Sequence, residues 1–107
     1  MRTYKILRAA EWAAFEAAGR TDGAPIDLAD GFIHLSAADQ VEETAAKHFA
    51  EAEGLWLLAV EAADLTWEPS RGGALFPHLY RSLEARDVVW SRPLPLGPGG
   101  HDFTGLL

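Results

Sequence analysis

The sequence predicts an α+β fold, with two early helices and a mixed or antiparallel set of short strands. Three observations carry this. Helical patterning is confined to the first half of the chain, whereas strand-like runs follow one another in the second. The segment Leu-Trp-Leu-Leu-Ala-Val at 55–60 is apolar at both parities, as suits a central strand covered on both faces. A length of 107 residues suits one domain built around one core.

Each element has its own signal. Residues 4–7 read as a short strand, and 9–18 as a helix with Trp12 and Phe15 on one side and Gly19 as its stop. Residues 21–25 are rich in turn formers and read as a loop. A strand over 32–35 follows, entered through Asp30 and Gly31. Ser36 then stands as the N-cap of a helix running to about residue 50, with Asp39 three positions on. Val41, Ala45, His48 and Phe49 form its apolar stripe. After the central strand, 65–68 is a short strand before Pro69. Residues 70–74 form a loop whose glycines permit close backbone approach to a ligand. Order resumes at 76–80, where Pro77 argues against a central strand. Residues 87–92 make a late strand, and the tail at 93–107 is expected to be irregular.

Composition mainly excludes. Much of the 49% hydrophobic share is Ala, so Leu and the aromatics must fill the core. With no Cys there is no disulfide framework, thiolate metal site or thiol nucleophile. No apolar run approaches the roughly 20 residues that span a bilayer. Patterned sequence begins at once, without a signal-peptide core, so a cytoplasmic location is expected. The net charge of −7 argues against non-specific nucleic-acid binding while allowing a local site for a small anion. The histidines at 34, 48, 78 and 101 fall in no paired metal-ligand spacing, and no metal site is expected.

Three segments carry candidate chemistry. In Phe32-Ile-His-Leu-Ser36, alternation puts Phe32, His34 and Ser36 on one face, an imidazole and a hydroxyl beside a helix entry. The same pattern fits a core-edge histidine bonded to backbone and Ser36 as a plain cap. In Phe76-Pro-His-Leu-Tyr80, His78 and Tyr80 face the same way, either as site residues or as the polar tips of an aromatic corner. Around Trp67-Glu68-Pro-Ser-Arg71, Glu68 suits a hydroxyl and Arg71 an anion; the alternative is an exposed turn with a surface ion pair.

Together, GFIHLS at 31–36, the following Gln40, LWLLAV, Trp67-Glu68 and FPHLY at 76–80 resemble the domain of unknown function 952 family over nearly the whole chain. The resemblance implies a small, largely bacterial α+β domain. That family in turn is remotely similar to the ADP-ribosyltransferase-like fold, which includes RNA 2'-phosphotransferases and cradles NAD between two small antiparallel sheets. By this likeness His34, His78 and Glu68 are the expected catalytic residues, and Ser36, Arg71, Tyr80 and Lys5 the expected ligand-binding ones. NAD is the implied cofactor. Two positions depart from the pattern: Lys5 stands where relatives carry a first-strand His, and Arg81 where they carry Gly. Either a cation replaces a lost contact or the NAD chemistry is absent.

Three functions are therefore carried forward. The chain is a transferase, intact or degenerate, acting on NAD or an ADP-ribose-like nucleotide; a non-catalytic module binding a small anionic metabolite; or a protein-interaction module using its Trp residues. The first requires His34 and His78, far apart in sequence, to converge on one cleft.

Overall fold

The computed structural model describes residues 1–107, the side chain of Arg71 excepted. The chain runs β1 (Thr3–Leu7), α1 (Ala9–Ala18), β2 (Arg20–Thr21), α2 (Pro25–Asp30), β3 (Ile33–His34), β4 (Ser36–Ala37) and α3 (Val41–His48). It continues through β5 (Leu55–Val60), β6 (Thr66–Pro69), β7 (Leu75–Leu79), β8 (Leu83–Glu84), β9 (Val88–Leu94), β10 (Leu96–Gly97) and β11 (Gly100–His101). A four-stranded sheet has the order β4-β1-β5-β9, and a three-stranded sheet the order β3-β7-β6. Two-stranded pairs β2-β8 and β10-β11 complete the set, and every pairing is antiparallel. The fold is thus α+β with antiparallel sheets. Among the described residues, no helix is long and apolar enough to cross a membrane.

The two-sided apolarity of β5 has a direct structural counterpart. Leu55, Leu57 and Ala59 pack with Tyr4 and Ile6 of β1, Val41 and Ala45 of α3, Leu94 and Phe103. Leu58 and Val60 point the other way, into a second cluster with Leu7, Phe15 of α1, Ile33, Leu35, Leu79 and Leu83. One strand therefore serves two cores, and alternation delivers its side chains to each in turn. Trp12 and Trp56 stack at the margin of the second cluster, ring centroids 4.6 Å apart, while Trp90 packs against the first.

Four local expectations are corrected. A third helix, α2, occupies residues expected to lie at the end of a loop and the approach to a strand; Pro25 starts it, with φ already suited to a first helical turn. Ser36 is not an N-cap. It lies in β4, its hydroxyl hydrogen-bonded to Thr44 Oγ1 at 2.9 Å, and Gln40 precedes the helix instead.

Pro77 sits in the central strand of the three-stranded sheet, against the expectation from its missing N–H. Its carbonyl accepts from Leu35 N at 3.0 Å. A residue's N–H and C=O point to the same side of a strand, so the missing donor faces Leu35, where β3 has already ended. Nothing is lost toward β6.

The tail, expected to be irregular, supplies the end of β9 and the β10-β11 hairpin, and buries Phe103. His101 Nε2 donates to the Phe49 carbonyl at 2.7 Å, tying the hairpin to the end of α3.

Because Leu57 is fully buried in the first cluster, Leu57→Ala is expected to cost about 2–5 kcal/mol in urea denaturation. Val89→Ala on the exposed face of β9 should stay within about 0.5 kcal/mol. Equal losses for the two would contradict the placement of the core.

Candidate functional site

The site is organised around a carboxylate. Asp27 is the third residue of α2, and its Oδ2 accepts from Ala24 N at 2.7 Å, satisfying a donor at the helix start. The same oxygen accepts from Lys5 Nζ of β1 at 2.8 Å. Its Oδ1 takes the His34 backbone N–H at 3.0 Å and the His34 ring at Nδ1, 2.6 Å away. Asp27 is 1% exposed and Lys5 7%. Burial alone would push the Asp27 carboxyl up, but the Lys5 charge and hydrogen bond, with the two His34 donors, hold it below the ordinary carboxylate range. Gly23, at φ +108°, lets the chain pass against this side chain; a Cβ there would collide with Asp27.

His34 is consequently held from two sides, since its Nε2 lies 3.0 Å from Asp30 Oδ2 at the end of α2. Across the ladder, His34 pairs in register with His78 of β7, so both rings stand on one face with centroids 5.4 Å apart. Phe32, Tyr80 and the two imidazoles form one aromatic group, with Phe32 at 4.6 Å from His34, 4.1 Å from His78 and 5.1 Å from Tyr80.

His78 has its own carboxylate. Glu68 Oε1 of β6 lies 2.7 Å from His78 Nδ1 and accepts the Tyr80 hydroxyl at 2.6 Å. The Tyr80 and His78 hydrogen bonds hold the Glu68 carboxyl below its usual range, and the bond to Glu68 pushes the Tyr80 hydroxyl up. A carboxylate only accepts, so His78 donates from Nδ1, and in the neutral ring Nε2 is then an acceptor. That Nε2 is buried and has no hydrogen-bond partner.

Both histidines border a cleft of about 710 Å³ between the two larger sheets, with Lys5, Arg8, Ile26 and Ser36 also in its wall. It exists because β4 is short. It pairs only with Thr3 and Tyr4, so among the described residues no strand covers residues 5–7 of β1 on that side.

Of the expected site residues, His34, His78, Glu68 and Tyr80 come together as one hydrogen-bonded and stacked group. Lys5 and Ser36 line the cleft, although Lys5 Nζ is engaged by Asp27 and by the His34 carbonyl at 3.1 Å, and Ser36 by Thr44. The expectation for Arg71 lies outside the described residues. Arg81 is turned to other work: it is held by Asp64 and Asp87, each through two hydrogen bonds, which keep it firmly charged.

Sequence reasoning missed Asp27, Asp30 and Arg8. A Pro-x-Asp run at 25–27 is a helix-start signal that could have flagged Asp27. Nothing in the sequence marks Arg8, whose guanidinium lies 4.7 Å over the Phe49 ring at the cleft wall.

An antiparallel α+β domain with paired histidines in an inter-sheet cleft is the class this chain defines. A family model described as a protein of unknown function (DUF952) matches residues 6–91, and the chain belongs to that family. The crystal structure of protein CC0527 from Caulobacter crescentus is similar at 52% identity, covering 97% of this chain and 96% of that one, with a TM-score of 0.91. The solution NMR structure of CC0527 gives a TM-score of 0.87 at 52% identity, over 99% of this chain and 96% of that one. No curated protein matches the chain.

Asp27 makes an acid-sensitive contribution to stability. Its folded value is depressed, so the contribution is present above its unfolded value, about pH 4, and is lost as pH falls through the folded one. Asp27→Asn leaves Lys5 buried without its counter-charge and should cost about 3–5 kcal/mol at pH 7. The gap between wild type and variant should narrow below about pH 4 in denaturant titrations. A gap constant down to about pH 2 would refute the assignment.

Proposed function

We propose that the cleft binds a small phosphate-bearing ligand of the NAD or ADP-ribose kind, in a cytoplasmic setting, with His34, His78 and Glu68 nearest its reactive part. The observation that carries this reading is the convergence of two carboxylate-held histidines on one cleft, with His78 Nε2 buried and unpartnered. A buried polar atom without a partner is costly, and a bound hydroxyl or water would relieve that cost. Two small antiparallel sheets flanking the cleft support an ADP-ribosyltransferase-like relationship. In that scheme His78 is the group able to accept a proton, Glu68 and Tyr80 orient it, and His34 stands opposite, fixed by Asp27 and Asp30.

A non-catalytic binding module is the second reading, and Lys5 favours it. The first-strand position that should meet the ligand spends its charge on Asp27.

A thermal-shift screen with NAD and ADP-ribose tests the site, run on wild type, His34→Ala and His78→Ala. Ligand at 100 times its Kd should stabilise wild type by ~2.7 kcal/mol, and both substitutions should reduce the shift. A shift that survives both removes the site assignment. Nicotinamide released from NAD would select the transferase reading, and stabilisation without release the binding module.

A further inference from the structure

Resting on the reading of the cleft as a phosphate-ligand site, we infer that it is divided into a hydroxyl-reading end at His78 and an anion-reading end at Arg8. The ligand class this selects is a sugar phosphate or nucleotide lying along the edge of β1, its sugar hydroxyl at His78 and its phosphate at Arg8.

The hydroxyl end follows from the hydrogen-bond inventory. Glu68 Oε1 accepts from both His78 and Tyr80 and so fixes the His78 ring. In the neutral ring with its proton on Nδ1, the buried Nε2 of His78 keeps a bare lone pair, and His78 is among the residues lining the cleft. A lone pair repels a phosphate oxygen and accepts from a hydroxyl. His34, opposite, already has a carboxylate on each ring nitrogen, so an anion gains little there.

Among the described residues, Lys5 and Arg8 are the Lys and Arg side chains in the cleft wall. Lys5 is 2.8 Å from Asp27, and Arg81 is held by Asp64 and Asp87. Arg8 lies in the cleft wall with its guanidinium stacked on Phe49, and among the described residues it forms no ion pair. Stacking presents the N–H edge of a guanidinium sideways, the orientation that grips a phosphate in a bidentate manner. Arg8 follows Lys5 by three residues, roughly 10 Å along extended backbone, and Lys5 Nζ touches the His34 carbonyl. His78 and Arg8 line one cleft, so a ligand that engages both carries a hydroxyl as well as an anionic group.

The experiment is an NMR titration of the intact chain, labelled at His and Arg side chains, with ribose 5-phosphate and with inorganic phosphate. Long-range proton–nitrogen correlations on the free protein should show His78 protonated at Nδ1 and bare at Nε2; the opposite tautomer overturns the proposal without any variant. Ribose 5-phosphate should shift both His78 and Arg8 signals, and inorganic phosphate Arg8 alone. Arg8→Ala should weaken ribose 5-phosphate about tenfold. His78→Gln, which keeps an acceptor near Nε2, should bind better than His78→Phe. Phosphate shifting His78 as strongly as Arg8 would overturn the division while leaving the cleft a phosphate site. If neither probe, nor NAD, nor ADP-ribose shifts any cleft signal, the functional reading fails and takes this division with it.

Discussion

A carboxylate with almost no exposed surface must find donors or leave the interior, and Asp27 finds four of them on three segments of chain. Lys5 reaches it from the four-stranded sheet, Ala24 from the start of α2, and His34 from the three-stranded sheet by both backbone and ring. The desolvation cost of such a group offsets much of its attraction to Lys5, so the pair is better understood as a locating device than as a source of net stability. What it locates is the distance between the sheets, the entry angle of α2, and the ring plane of His34. Gly23 is part of the same constraint, since only a residue without Cβ lets the backbone pass Asp27 at this point.

The cleft is what remains once that constraint is met. The two faces of β5 are filled by separate hydrophobic clusters, which fixes the four-stranded sheet as the rigid middle of the molecule. Asp27 hangs α2 and β3 from one edge of that sheet, and the shortness of β4 keeps the edge from being sealed. The histidines then meet because His34 and His78 are register partners, and a one-residue slip would send one of the rings to the opposite face. Phe32 fills the space among the rings and Tyr80, which leaves the imidazoles little rotational freedom.

Much of this was legible in the sequence where a pattern has one physical meaning. The two-sided apolar run at 55–60 pointed to a strand covered on both faces, and β5 is that strand. The helix over 9–18 was bounded by Gly19, which adopts φ +73° at its end. Alternation placed Phe32 with His34, and His78 with Tyr80. The failures occurred where local signals compete. Ser36 has the chemistry of a cap and the neighbours of a strand, and pairing with β1 decided for the strand. Pro77 forbids one ladder bond, and the end of β3 made that bond unnecessary. The glycines and prolines of the tail read as irregular, yet burial of Phe103 and the hydrogen bond from His101 fold it back as a hairpin.

The sequence by itself determined the α+β class and the central strand, because these depend on periodicity and side-chain type. Tertiary structure decided how the charged residues are paired. Lys5, Glu68 and Arg81 are each held by partners 6 to 22 positions away, whereas Arg8 stacks on Phe49. The physical reason is that a charge is defined for chemistry by its counter-charge. That pairing is set by burial and by strand register, neither of which is written in the spacing of residues along the chain.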